Sequence, residues 1–224
     1  MCLYNNNNNN TQIMPSSIRR RRYKYKYKNE DTDDEEDVDD GSAVDEMSLI
    51  RVMNNHIYFY DTITNLSSLK LNMTLKKLIE ESLIHSIKND CDPVPIKLHM
   101  NSPGGEIVGA FCVINTIEQS KVPIHTIIEG EAASAATMIS VVGHKRYINR
   151  NAHMLIHQIR AGFLGKMDEC QDEMKNIKRY SKLAIKIYKK YTNLTDVKLE
   201  KILKKELYWG CKTCLKYGLV DEIL

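Results

Sequence analysis

Apolar positions along the chain change period several times, and each change marks an element. "HIYFY" (56–60) is a short apolar run of strand type. Over 68–89 the apolar residues Leu71, Leu75, Leu78, Ile79 and Leu83 fall at helical spacing. "VPIKLHM" (94–100) predicts a strand running into "NSPGG", and "EIVGAFCVINTIEQS" (106–120) returns to helix. "VPIHTIIEG" (122–130) predicts a strand, and "AASAATMISVVG" (132–143) a helix closed by Gly143. "RYINR" and "HMLIHQ" are short strands, followed by a long amphipathic helix over 166–193. "DVKLEKILKK" and "GCKTCLKYG" read as two more short helices. Strands alternating with helices imply βαβ units, a largely parallel sheet and right-handed crossovers.

The first 46 residues follow no such period. A run of six asparagines precedes the basic block "RRRRYKYKYK" and the acidic block "NEDTDDEEDVDD". Neither block can bury enough apolar surface to offset its ordering entropy, so 1–46 is expected to be a disordered, low-complexity charged tail and 47–224 the folded domain. The tail carries 7 Lys and Arg against 11 Asp and Glu, and the remainder 25 against 18. That dispersed surplus does not indicate nucleic-acid binding. No window approaches a membrane span of roughly 18 apolar residues, and the N-terminus has no signal-type apolar run. The six cysteines are read as reduced thiols, giving an expectation of a cytoplasmic, reducing environment. Cys211 and Cys214 form a lone CxxC, read as packing; no metal or cofactor is expected.

Two loops carry candidate chemistry. Ser134 sits among alanines where a strand gives way to a helix, a place suited either to a cap or to a nucleophile beside free backbone N–H groups. "NSPGG" (101–105) also follows a strand and precedes a helix, and its glycines permit close backbone approach. In a parallel sheet both loops lie at the carboxyl edge, where they can meet and present donors to an oxyanion. Of seven histidines (56, 85, 99, 125, 144, 153 and 157), His157 ends an apolar run and is the best candidate base. Asp168, Asp196, Glu200, Glu206 and Asp221 could each orient it, and spacing does not choose among them.

"MNSPGGEIVGAF", "IEGEAASAATMI", "HMLIHQ" and "KYGLVDEIL" occur in this order, and together they resemble the proteolytic subunits of the Clp protease. The resemblance covers roughly Ile50 to Leu224. It implies an α/β chain of ClpP/crotonase-like fold, with repeated β-β-α units, a handle strand over 159–170 and a long handle helix after it. It implies Ser134 as nucleophile, His157 as general base, and Gly105 and Ala135 as oxyanion donors. A gapless match from His157 onward sets Glu206 at the place of the family's aspartate. Gly104, Gln158, Ile159, Arg160 and Ala161 match substrate-binding positions. The implied activity is serine endopeptidase cleavage of peptides or unfolded proteins inside homo-oligomeric stacked rings, with an AAA+ unfoldase as possible partner.

Two other classes share this framework. A catalytically inactive structural subunit of a mixed ring would keep the fold without turnover, and Glu206 in place of aspartate is the feature that favours it. A crotonase-type acyl-CoA enzyme would also use two backbone N–H groups, but Ser134 and His157 argue against it because such enzymes use carboxylates. The family's axial hairpin has no clear counterpart in "DDGSAVDEMSLIRVMNN".

Overall fold

The computed structural model describes residues 50–224, so the tail expected over 1–46 lies outside the described residues. Ile50–Met53 (β1) folds back antiparallel on His56–Phe59 (β2), with Asn54 at the turn in the left-handed region (φ 54°) that asparagine tolerates. Asn65–Asn89 (α1) begins at a capping box between Thr64 and Ser67, which starts the helix earlier than its apolar period indicates. The chain continues through Ile96–Ser102 (β3), Ile107–Glu118 (α2), Ile124–Ala133 (β4) and Ala135–Val141 (α3). Lys145–Ile148 (β5), His153–Leu155 (β6) and Met167–Tyr191 (α4) follow. Asp196–Leu203 (α5), Tyr208–Gly210 (β7), Cys211–Lys216 (α6) and Glu222–Ile223 (β8) complete it.

The strands form one sheet in the order β1-β2-β3-β4-β5-β8; β6 joins β4, and β7 joins β6. All pairings are parallel except β1–β2 and β6–β7. This is a mixed α/β arrangement, of the class that the resemblance implies. Ile57, Phe59, Ile96, Leu98, Met100, Ile124 and Ile128 are buried in one cluster with Leu71 and Leu75 of α1, Val113 and Ile117 of α2 and Ile139 of α3. No helix of the described residues is long and apolar enough to cross a membrane.

The short strands β1, β7 and β8 are absent from the sequence reading, and two longer segments differ from it. β4 runs on past Gly130 to Ala133, because its register against β3 shifts between Met100 and Ser102. Asn101 Oδ1 accepts the Glu131 N–H at 3.0 Å and lies 2.6 Å from where a Cβ on Gly130 would stand, so a side chain at Gly130 would push the Asn101 amide off that bond. Beyond it β4 exchanges one neighbour for another: His125–Ile128 pair with β5, Glu131–Ala133 with β6. The other segment is the handle strand. Residues 159–165 are in no strand, and α4 already begins at Met167. A strand exists only against a ladder partner, and no described segment supplies one here.

The face of the sheet away from the aliphatic cluster holds a polar chain. His56 Nδ1 lies 2.8 Å from His99 Nε2, and His99 Nδ1 lies 2.7 Å from Glu129 Oε1, while Tyr60 donates to the other oxygen of Glu129. Tyr58 stacks on His99 with ring centroids 4.4 Å apart. Two neutral imidazoles satisfy this chain, each passing one proton along. Burial, aided by Lys97 and by repulsion from His56 whenever that ring is protonated, lowers the His99 pKa to about 4. Burial and Lys97 lower that of His56 as well. Between the ordinary value of 6.5 and about 4, the unfolded chain therefore binds protons that the folded chain refuses, and stability falls as pH falls. Glu129, raised by burial, works in the opposite sense. The urea midpoint is accordingly expected to drop between pH 7 and pH 5, and His99→Gln to show a smaller drop over the same interval.

Candidate active site

Ser134 is the single residue between β4 and α3, and its backbone is strained at φ 54°, ψ −122°. Such a conformation costs about 1–3 kcal/mol in a residue with a side chain and persists only when its surroundings impose it. Here the Ser134 N–H donates to the Leu155 carbonyl at 2.8 Å, continuing the β4–β6 ladder. The Ser134 carbonyl accepts from the Thr137 N–H at 3.1 Å and from the Thr137 hydroxyl at 2.6 Å. That hydroxyl also meets the hydroxyl of Tyr188, a buried residue of α4. The Ser134 side chain makes no capping bond, so the simple cap reading fails and the hydroxyl is left for other work.

The glycine loop closes on the same turn from the β3 side. Gly104 has φ 92°, and a Cβ on it would stand 2.5 Å from the Ala133 oxygen and 2.8 Å from Ser134 Cβ. Gly105 has φ 146°, and a Cβ there would meet the Ile63 oxygen at 2.1 Å. Ile63 clamps the loop with two backbone bonds, its N–H to the Gly104 carbonyl and its carbonyl from the Glu106 N–H, both 2.8 Å. The two loops singled out in the sequence thus meet. Gly104 lies buried under the Ser134 turn. Gly105 lines the cavity beside Ala135, the first residue of α3, whose N–H has no carbonyl one turn earlier within its own helix.

His157 and Glu206 meet through strand register. β6 and β7 pair antiparallel as His153 with Gly210, Met154 with Trp209 and Leu155 with Tyr208. Continuing two residues beyond each strand sets His157 opposite Glu206. Nδ1 of His157 lies 2.9 Å from Glu206 Oε2 and 3.0 Å from Oε1. Glu206 Oε2 also accepts from Arg160 Nη2 at 2.6 Å. The His157 hydrogen bond, with help from Arg160 and against desolvation, holds the Glu206 carboxyl below the usual range. Gln158 fastens the segment, its N–H donating to the Leu203 carbonyl at the end of α5 at 2.9 Å. Three of the other candidate acids are occupied elsewhere: Asp196 pairs with Lys189, Glu200 with Lys204 and Asp221 with Arg146. Asp168 lies in the first turn of α4.

Ser134, Ala135, His157, Gln158, Ile159 and Arg160 line one cavity of about 940 Å³, floored by Met138, Ala184 and Leu199. Ala161 lines a smaller neighbouring one. Among the described residues no hydrogen bond joins Ser134 Oγ to His157, although both open onto the same space. Nor does any group of three or more His, Cys, Asp and Glu side chains there have the arrangement to hold a metal. Cys214 is buried, its thiol pushed up to about 12 by that burial and donating to the Trp209 carbonyl.

The Clp protease family model matches residues 54–224. The chain belongs to the Clp protease family. It is 30% identical over 131 residues to an ATP-dependent Clp protease proteolytic subunit of Deinococcus radiodurans. That match covers 58% of this chain and 64% of the relative, so the chain spans less than two thirds of the relative's length.

This member of the Clp protease family has supports that the sequence reading did not single out. Thr137 holds the Ser134 carbonyl, Tyr188 in turn meets the Thr137 hydroxyl, and Ile63 holds the glycines. The available signal for Tyr188 was its spacing four residues from Ala184, the other buried residue of α4. Gly105→Ala is expected to destabilise the fold by about 2–4 kcal/mol, since its Cβ meets backbone that is itself bonded. Thr137→Val, which takes the partner from the buried Tyr188 hydroxyl and one of two donors from the Ser134 carbonyl, is expected to cost about 1–3 kcal/mol. Chemical denaturation of both variants checks the two figures.

Proposed function

We propose that this chain is a serine endopeptidase acting on peptides or unfolded proteins, with Ser134, His157 and Glu206 as its triad. The observation that carries the reading is the β6–β7 register, which sets Glu206 against Nδ1 of His157, a residue that lines the same cavity as Ser134. His157 takes the Ser134 proton as Oγ attacks the scissile carbonyl, and Glu206 stabilises the imidazolium. The N–H groups of Gly105 and Ala135 hold the oxyanion. His157 then protonates the leaving amine, and water releases the acyl group by the same route in reverse.

Substrate backbone adds as a strand beside residues 159–165, a segment without a ladder partner among the described residues. Assembly into stacked rings is supported by the relative's designation as a subunit and by Phe163, Leu164, Met167 and Met174, large apolar side chains exposed after His157. An ATP-driven unfoldase as partner is part of the same proposal, in keeping with the words "ATP-dependent" in the relative's designation. The free thiols, with Cys91 and Cys112 exposed, fit a reducing cytoplasm.

A fluorophosphonate probe tests the assignment on the assembled oligomer. Labelling is expected in the natural chain, none in Ser134→Ala, and a rate lowered by roughly 10³–10⁴ in Glu206→Gln. An assembled oligomer that takes no label would make the chain a structural subunit instead.

A further inference from the structure

Arg160 does more at this site than line its wall. Three groups converge on one point: Arg160 Nη2 lies 2.6 Å from Glu206 Oε2 and 3.4 Å from His157 Nδ1, itself 2.9 Å from the same oxygen. We propose that Arg160 is a positioning residue, clamping the Glu206 carboxylate so that this longer side chain presents its oxygens to the His157 imidazole. The inference rests on the proposed role of Glu206 as the acid of the site.

A glutamate has one more freely rotating bond than an aspartate, and its terminal torsion is broad. The Glu206 side chain is 53% exposed, so packing alone does not select its rotamer. The carboxylate also stands nearly symmetric to the imidazole, its two oxygens at 2.9 and 3.0 Å, an arrangement in which the ring imposes little on its rotation. A charge-assisted bond from Arg160 to one oxygen supplies the missing restraint. Arg160 is suited to this because Gln158, two residues away, is bonded to α5, and the residue bonded to is three before Glu206. Lys204, which lines the same cavity, is held by Glu200 at 2.9 Å. An ion pair as exposed as this one adds little to stability, so its effect falls on orientation. Arg160 also contributes to holding the Glu206 carboxyl in its charged form.

The test pairs kinetics with a signal that needs no turnover. Arg160→Ala is expected to lower kcat on a peptide substrate about 10–100-fold with KM changed less than about twofold, in line with loss of orientation alone. Arg160→Lys is expected to recover most of that loss. In a Glu206→Gln background the same alanine substitution is expected to change kcat less than about twofold, because the two residues act as one unit. By proton NMR, the His157 Nδ1–H resonance is expected to be sharp and strongly downfield in the natural chain and broadened in Arg160→Ala. A loss confined to KM, or an equal kcat loss in both backgrounds, would overturn the clamp and make Arg160 a substrate contact. If the natural chain neither labels nor turns over, the resonance decides alone. Broadening in Arg160→Ala would support the clamp while the peptidase reading fails, and an unchanged signal would overturn it.

Discussion

Everything at this site hangs on the hydrogen-bond ladder that ties the last residues of β4 to β6 and β6 to β7. Buried backbone groups must be paired, and in a sheet this obligation fixes which residues stand side by side. The β4–β6 ladder reaches Ser134 through its bond to Leu155. The β6–β7 ladder brings together His157 and Glu206, 49 residues apart in the chain. No side-chain attraction at the surface has strength enough to choose this arrangement. It is chosen by backbone pairing, and the side chains inherit it.

The ladder also explains the composition of the Ser134 turn. Ala132, Ala133, Ala135 and Ala136 are all buried, at 0–3% exposure, and the glycine loop presses on them from the β3 side. Small residues here are a steric requirement, since larger side chains would push apart the loops that must meet. The strained Ser134 backbone is held from below by Thr137 and, through it, by α4. The elements nearest the candidate chemistry are therefore among the best packed, while residues 160–165, where a substrate strand would lie, are exposed.

Much of this could be read from the residues. Helical and strand periods located α1, α2, β3, β4 and α4, since long amphipathic segments carry strong signals. The two loops at the carboxyl sheet edge announced themselves through glycines and alanines. The choice of acid was not legible bottom-up. Glu206 meets His157 only because Tyr208–Gly210 pairs with β6, and a three-residue strand has no alternation to reveal it. The gapless family match pointed to Glu206 where spacing left five acids open. β1 and β8 escaped notice for the same shortness. The strand expected over 159–170 failed for a different reason: strand character belongs to a pair of segments, and one sequence describes only half of the pair. Arg160 gave no sign of its contact with Glu206, because that bond depends on side-chain reach across two loops.

The short connection from α5 to β7 has its own consequence. Only Lys204, Lys205, Glu206 and Leu207 span it, between a helix end bonded to Gln158 and a strand paired with β6. Both ends are pinned, so the connection behaves as a ruler. With β7 paired as it is, deletion of Leu207 would bring Lys205 opposite His157, and insertion of a residue after Leu207 would bring that leucine there, in place of the carboxylate. The sign of the charge offered to the imidazole is thus encoded in the length of a loop as much as in the identity of any residue in it.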